Sequence, residues 1–216
     1  MNMVDKGVSI RAGSVDMTHG GGGRAMAELI ADLFQRHLGN PILAQGNDGA
    51  LLEPQNGRLV MSTDGHVISP LFFPGGDIGS LSVHGTLNDV AMTGARPLYL
   101  TAGFILEEGF PLADLERIVM SMARAAKEAG VPIVTGDTKV VEKGKGDGVF
   151  ITTTGLGVVP DGVHVSVECA KPGQAVLLSG SIGDHGVAIL SKRESLEFET
   201  EIRSDSAALH GMVAAM

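Results

Sequence analysis

The stretch LYLTAGFILEEGFPLADLERIVMSMARAAKEAGVPIV, Leu98–Val134, carries the clearest structural signal of the chain. Its first part, Leu98 to Leu106, is apolar and strand-like. Apolar residues then recur three and four positions apart from Leu112 to Ala126, which predicts an amphipathic helix that Gly130 ends. Val131 to Val134 reads as a further strand. One strand, one helix and a second strand therefore follow each other here.

Outside this stretch, strands and helices mix without a regular alternation. The predicted helices have apolar residues spaced three and four apart, or a capping residue before them; they cover Met26 to Leu38, Asp77 to about Thr93, and Ser181 to Arg193. The predicted strands are Arg58–Thr63, Val67–Phe72 after a turn at Asp64-Gly65, Val149–Val159 and a buried strand Ala175–Leu178. This order does not fit a doubly wound sheet and favours an α+β fold.

Composition limits the classes of function. The 216 residues include 16 Lys+Arg and 25 Asp+Glu, a formal net charge of −9, which argues against nucleic acid as a partner. There is one Cys and no run of about 18 apolar residues, so we expect no disulfide framework, no cysteine zinc site and no membrane span. The polar N-terminus lacks a signal-peptide core, and we expect a cytoplasmic protein. Glycine is abundant, with 31 residues, which suggests a backbone shaped around a ligand.

Four aspartates lie in short, turn-prone contexts. They are Asp48, Asp64, Asp89 and Asp137. Hard carboxylate oxygens suit Mg²⁺ that bridges nucleotide phosphates, and Gly20–Gly23 before a helix could cradle those phosphates with free N–H groups. On the residues alone other interpretations stay open, because Asp-Gly is an ordinary turn signal and Asp89 could lie on an exposed helix face.

Other sites have less support from the sequence. The glycine run is neither a Walker A loop nor a Gly-x-Gly-x-x-Gly motif, and the seven histidines have no metal-binding spacing. His164 and Cys169 are five residues apart on a strand-like segment and would face opposite sides, which argues against a nucleophile pair. Cys169 is better explained as a small apolar residue.

A set of longer motifs resembles one family over nearly the whole chain from about Thr18. The motifs are His19–Gly23, Ser62–Asp64, Pro70–Gly79, Gly85–Ala91, Phe104–Gly109, Val134–Val141 and Ser179–Gly186. Together they resemble the HypE family of carbamoyl dehydratases, which mature hydrogenases. Aminoimidazole ribonucleotide synthetase, selenophosphate synthetase and thiamine-monophosphate kinase share the aspartates and the glycine loop.

The resemblance implies an α+β fold, namely an aminoimidazole ribonucleotide synthetase-like N-terminal domain with a mixed sheet and flanking helices, plus the start of a second α+β domain. Residues 1–18 would be a flexible leader, 19–171 an ATP-binding and dimerisation domain, and 172–216 the beginning of an incomplete C-terminal domain. The same resemblance implies a homodimer whose sheet pairs with that of a second copy.

The reaction that the resemblance implies uses ATP and Mg²⁺. The family acts on its own C-terminal cysteine after the carbamoyltransferase HypF has carbamoylated it. The amide oxygen takes the γ-phosphoryl group, a base removes an N–H proton, and phosphate leaves to give a thiocyanate. The product supplies cyanide for the [NiFe]-hydrogenase through the HypC–HypD iron-carrier complex.

Residue by residue, the resemblance implies that Asp48, Asp64, Asp89 and Asp137 hold the metal. Nucleotide would be bound by Gly20, Gly21, Gly22, Gly23, Asp64, Asp89, Asp137 and Thr138, and Lys139 would act near the reacting tail. His84 stands where many members have Cys, and Gly65 where Ser or Thr is common.

Length is the larger departure from the family. The chain lacks the family's Asp-Ala-Thr-Arg-Gly-Gly motif, the glutamate proposed as base and the terminal cysteine, so we expect that Met216 lies inside the second domain. Two alternatives to an ATP-binding half-enzyme remain: a non-catalytic module for dimerisation and partner docking, or another ATP enzyme of the superfamily.

Overall fold

The computed structural model describes residues 12–196 and 199–216. The strands are β1 (Arg58–His66), β2 (Phe72–Phe73), β3 (Gly76–Asp77), β4 (Arg96–Glu107), β5 (Ile133–Val141) and β6 (Val149–Val159). The helices are α1 (Arg24–Leu29), α2 (Arg36–Leu38), α3 (Ile78–Met92), α4 (Leu112–Ala129), α5 (Asp184–Glu194) and α6 (His210–Ala215). None of the helices in this part of the chain is both long and apolar enough to cross a membrane.

Four strands form one mixed sheet in the order β1-β6-β4-β5. β6 pairs antiparallel with both β1 and β4, whereas β4 and β5 pair in parallel and are joined through α4. The strand–helix–strand unit that the sequence predicts at Leu98–Val134 is therefore the parallel part of the sheet. The predicted α+β class with a mixed sheet is confirmed.

Helices α3 and α4 cover one face of the sheet and bury the core. Leu87, Leu115 and Ile118 of these helices are fully buried, as are Leu100 and Ile151 of the sheet. Helix α3 approaches β6 closely because the strand has glycines below it. A Cβ on Gly157 would lie 2.5 Å from Cγ1 of Val90, a distance that no real side chain tolerates.

Both long helices begin or end where the sequence predicts. The Asp77 side chain caps α3 by accepting from the backbone N–H of Gly79 at 2.7 Å and of Ser80 at 3.1 Å. Gly130 closes α4 in the left-handed conformation, with φ of 68°. Asp77 therefore defines where α3 begins and Gly130 where α4 ends.

A third helical stretch covers the β5 edge of the same face. Residues 24–38 form one continuous helix, in which a π-helical turn at Ile30–Gln35 separates α1 from α2. Phe34 packs against Phe104 of β4 with ring centroids 5.0 Å apart. The predicted helix from Met26 to Leu38 is thus present.

Three local predictions are wrong. Asp64-Gly65 is not a turn, because every residue of β1 through His66 has a partner on β6, including Gly65 opposite Thr152. The strand predicted at Val67–Phe72 is reduced to β2, which pairs only with β3. Ala175–Leu178 is neither a strand nor buried, since Val176 is 97% exposed.

The described part of the predicted leader, residues 12–18, is hydrogen-bonded to the rest of the domain. Val15 is buried, its N–H donates to the carbonyl of Phe110 at 2.8 Å, and its carbonyl accepts from Gly109 at 2.7 Å. These bonds attach the segment to the loop before α4. Residues 1–11, the remainder of that prediction, lie outside the described residues.

Candidate functional site

The structure divides the predicted site residues into two groups. Asp64 and Asp89 lie together where β1 meets α3, and we call them the aspartate pair. Gly20–Gly23 and Asp137–Lys139 lie together at β5, and we call them the β5 group. Asp48 is in neither, because it is exposed in the loop that leads from the helical stretch to β1.

Two polar side chains of β1, the hydroxyl of Ser62 and the imidazole of His66, lie next to the aspartate pair. The Ser62 hydroxyl donates to Oδ2 of Asp89 at 3.2 Å. Oδ2 of Asp64 lies 3.8 Å from Nε2 of His66, and the carboxylates of Asp64 and Asp89 both act on the charge of that imidazole. Burial lowers the pKa of His66 despite the two carboxylates, which raise it.

Beneath His66 lies a chain of buried hydroxyl groups. The Oγ1 of Thr153 is 3.1 Å from Nε2 of His66 and 2.6 Å from the hydroxyl of Thr86. Thr153 also donates to the carbonyl of Ser82 at 3.0 Å. These bonds link the inner side of β1 through β6 to the backbone of α3, so the floor under Asp64 is polar and fully bonded.

The β5 group combines a glycine-rich helix start with an ion pair. Gly23 is the N-terminal cap of α1, and Gly21–Gly23 are exposed. The N–H of Gly21 donates to the carbonyl of Thr18 at 3.3 Å, which leaves Gly22 and Gly23 as the candidate phosphate donors. Gly20 packs on β5, where a Cβ would lie 2.9 Å from that of Val140. The predicted arrangement of a glycine run before a helix is present.

Asp137 and Lys139 engage each other on β5. The Lys139 ammonium lies 2.7 Å from Oδ2 and 2.8 Å from Oδ1 of Asp137, and both side chains are exposed. The hydrogen bond from Lys139 is the main reason that the pKa of Asp137 is lowered. Thr138 between them is buried, because alternate residues of a strand face opposite sides.

The four aspartates do not converge within one chain. β1 and β5 are the two edges of the sheet, three strand spacings or roughly 14 Å apart. Asp64 also faces α3, whereas Asp137 pairs in register with Gly103 and faces the uncovered side. Among residues 12–196 and 199–216, no three His, Cys, Asp or Glu side chains form a group that could hold a metal. The expectation of a single four-aspartate site in one chain is therefore corrected.

The aspartate pair nevertheless fits Mg²⁺ by the chemistry of its donors. Two carboxylates and a serine hydroxyl are hard oxygen ligands. Mg²⁺ is commonly held by only one or two protein carboxylates and completes its octahedron with water and substrate phosphates. A pair at the rim of the sheet meets that requirement.

Several residues that build this region were not predicted from the sequence. His66 and Ser62 alternate with Asp64 along β1, so the signal was available in the period of two once β1 was extended through Gly65. Gly85 and Thr153 gave no local signal, because their roles depend on the contact between α3 and β6.

A small apolar cleft adjoins the β5 group. It has a volume of about 150 Å³ and lies between the helical stretch and the sheet. Its walls include Met26, Ile30 and Phe34, and its polar rim includes Thr135 and Asp137. The cleft therefore brings apolar surface next to Asp137 and Thr138 of the β5 group.

Comparison with known proteins places this fold and these residues in a family. The family described as AIR synthase related protein, N-terminal domain, matches residues 46–159, more than half of the chain. The chain therefore belongs to this family. The matched part begins just before Asp48 and ends with β6, so it includes the aspartate pair and the sheet.

The similar proteins come from hydrogenase maturation. Carbamoyl dehydratase HypE of Azotobacter vinelandii is 72% identical over 209 residues, 97% of this chain and 61% of that protein. The crystal structure of hydrogenase maturation protein HypE in complex with ATP has a TM-score of 0.89 at 56% identity, and covers 92% of this chain and 59% of that one. A HypE–HypF complex has a TM-score of 0.72 at 55% identity, over 86% of this chain and 60% of that one. The chain thus spans about 60% of the length of these relatives.

Proposed function

We propose that this chain is the ATP-binding half of a carbamoyl dehydratase that matures hydrogenases. The observation that carries the proposal is its likeness, at 56% identity, to a HypE structure in complex with ATP. The aspartate pair and the glycine run support it, because they supply a metal-binding edge and phosphate-binding N–H groups.

Within one chain the aspartate pair and the β5 group lie at opposite edges of the sheet, so both can contact one Mg²⁺–ATP only where two copies of the chain meet. Asp64 and Asp89 hold Mg²⁺, which when bound neutralises phosphate charge. The backbone N–H groups of Gly22 and Gly23 bind phosphate oxygens at the start of α1. Lys139 adds a mobile positive charge once it leaves Asp137, a surface ion pair that costs little to break. Asp48, Asp137 and Thr138 stay predicted ligands.

The reaction follows the resemblance. Phosphorylation of the amide oxygen of a carbamoylated cysteine turns a poor leaving group into a good one, and loss of an N–H proton with phosphate gives the thiocyanate. HypF would supply the carbamoyl group, and a HypC–HypD complex in the cytoplasm would receive the product. Cys169 has no part in this proposal.

A homodimer is the assembly that we propose, formed through the uncovered face of the sheet. Leu59 and Met61 of β1 are 59% and 71% exposed there, and Ile105 of β4 is 42% exposed. A row of threonines crosses the same face in register: Thr63, Thr154, Thr101 and Thr135. An apolar sheet face with hydroxyl groups suits a second copy of itself, because a two-fold interface uses the same patch twice.

A calorimetric titration of this chain with a non-hydrolysable ATP analogue tests the proposal. We expect saturable binding in Mg²⁺ that is lost when EDTA replaces the metal. The absence of binding in Mg²⁺ would favour the alternative of a dimerisation and docking module, which the apolar face by itself would serve. The Cys169→Ala variant is a control, because Cys169 has no part in the proposed site and the variant should bind as the unmodified chain does.

A further inference from the structure

Asp64 rests in a notch of α3 that exists because residue 85 is glycine. A Cβ on Gly85 would lie 3.4 Å from Oδ2 of Asp64 and 3.3 Å from Cε1 of His66. Both side chains therefore reach the backbone surface of the helix. His66 is buried, whereas the Asp64 side chain is 45% exposed, so the carboxylate has a fixed inner side and a free outer side.

The proton on the buried histidine is assigned by its neighbours. The hydroxyl of Thr153 has a single hydrogen, which goes to the carbonyl of Ser82, because a carbonyl only accepts. The oxygen of Thr153 must then accept from Thr86 and from Nε2 of His66. The imidazole consequently carries its proton on Nε2, and its ring plane is fixed against β6.

This fixed ring stands next to the metal-facing carboxylate without bonding to it. Nε2 of His66 is 3.8 Å from Oδ2 of Asp64, beyond hydrogen-bond length, and its hydrogen is engaged with Thr153. The ring thus makes a steric contact with the carboxylate and presents an edge with partial positive charge to it. It prevents the carboxylate from turning inward and leaves both carboxylate oxygens able to accept.

We propose that His66, locked by Thr153 and seated beside Gly85, is a positioning residue that holds the Asp64 carboxylate in the orientation a divalent cation requires. The proposal rests on the proposed function, since it takes Asp64 as a ligand of the metal–nucleotide complex. A merely structural role would change stability alone. A positioning role changes metal affinity and the coordination geometry of the metal in folded protein.

Mn²⁺ in complex with ATP is a suitable probe, because its EPR spectrum reports both binding and the symmetry of its ligands. We expect His66→Phe, which removes the N–H, to weaken binding of Mn²⁺–ATP about tenfold and to alter the spectrum of the bound ion. His66→Gln keeps an N–H that can reach Thr153, and we expect it to restore most of the affinity. Gly85→Ala should change affinity in the same direction as His66→Phe.

The controls separate this inference from the proposed function. Gly211→Ala places the same methyl group on a helical glycine with open space around it, and should bind as the unmodified chain does. Circular dichroism fixes a temperature at which every variant is folded. Unchanged binding by His66→Phe, or equal weakening by Phe and Gln, overturns the positioning role. Failure of the unmodified chain to bind Mn²⁺–ATP would instead overturn the proposed function.

Discussion

At the scale of single residues, the described part of the chain uses carboxylates in two different ways. In the aspartate pair, the carboxylate of Asp64 is partly exposed above the buried hydroxyl of Thr153, an arrangement that suits a metal ligand. Glu107 instead bonds inward to its own loop, where its carboxylate accepts from the backbone N–H of Gly144 at 2.5 Å and of Gly148 at 2.9 Å. Glu107 therefore serves structure, although it lies in one of the motifs shared with the family.

The pH dependence of stability tests the role of Glu107. The two backbone donors lower the pKa of this carboxyl in the folded chain. A depressed folded pKa contributes stability above the ordinary pKa of glutamate, and that stability is lost as the pH falls through the folded value. We expect Glu107→Gln to lower Tm at pH 7 and the difference from the unmodified chain to shrink toward pH 3. A difference that is constant with pH would contradict this account.

At the scale of elements, local patterns predicted what local forces determine. Helix α4 has its apolar stripe and its glycine end close together in sequence, and both were predicted. A strand on each side of the helix was also predicted, but the parallel pairing of these strands was not. The end of β1 was not predicted correctly, because Asp64-Gly65 is by itself a good turn signal. Only the pairing of this segment with β6, some 90 residues later, keeps it extended. The apolar residues of Ala175–Leu178 predicted a buried strand, but no described strand pairs with this segment.

The site was predictable only where residue type and local sequence context identify a residue. The sequence identified Asp64, Asp89 and Gly20–Gly23 by residue type and context. It could not tell that Asp137 faces the opposite side of the sheet, because the strand order and the side each residue faces arise from long-range pairing.

The contact between α3 and β6 gives a second prediction at this scale. A methyl group on Gly157 would lie 2.5 Å from Cγ1 of Val90 and 2.9 Å from the carbonyl oxygen of Arg96. We expect Gly157→Ala to lower the free energy of unfolding by about 1–3 kcal/mol, measured by urea denaturation. Gly65→Ala is the matched strand control, since a Cβ there meets nothing within 4 Å. Equal effects of the two substitutions would show that close packing at α3 is not the cause.

At the scale of the whole molecule, the sheet has one face under helices and one face that none of the described residues 12–196 and 199–216 covers with a helix. Met61→Lys places a charge on the uncovered face, and we expect it to convert a dimer into a monomer in sedimentation at micromolar concentration. Met120→Lys is the control, because Met120 is 49% exposed on α4, away from that face. A monomeric unmodified chain, or dissociation caused equally by both substitutions, would contradict the proposed assembly.

The central claim is that Asp64 and Asp89 bind the metal of a metal–nucleotide complex, and calorimetric titration of isosteric variants tests it most directly. We expect Asp64→Asn and Asp89→Asn each to weaken binding of the Mg²⁺–ATP analogue about tenfold or more, because each loses a charged hard ligand. Asp161→Asn makes the same carboxylate-to-amide substitution at an exposed turn residue, and it should leave binding unchanged. Wild-type affinity in both the Asp64 and the Asp89 variant would contradict the claim.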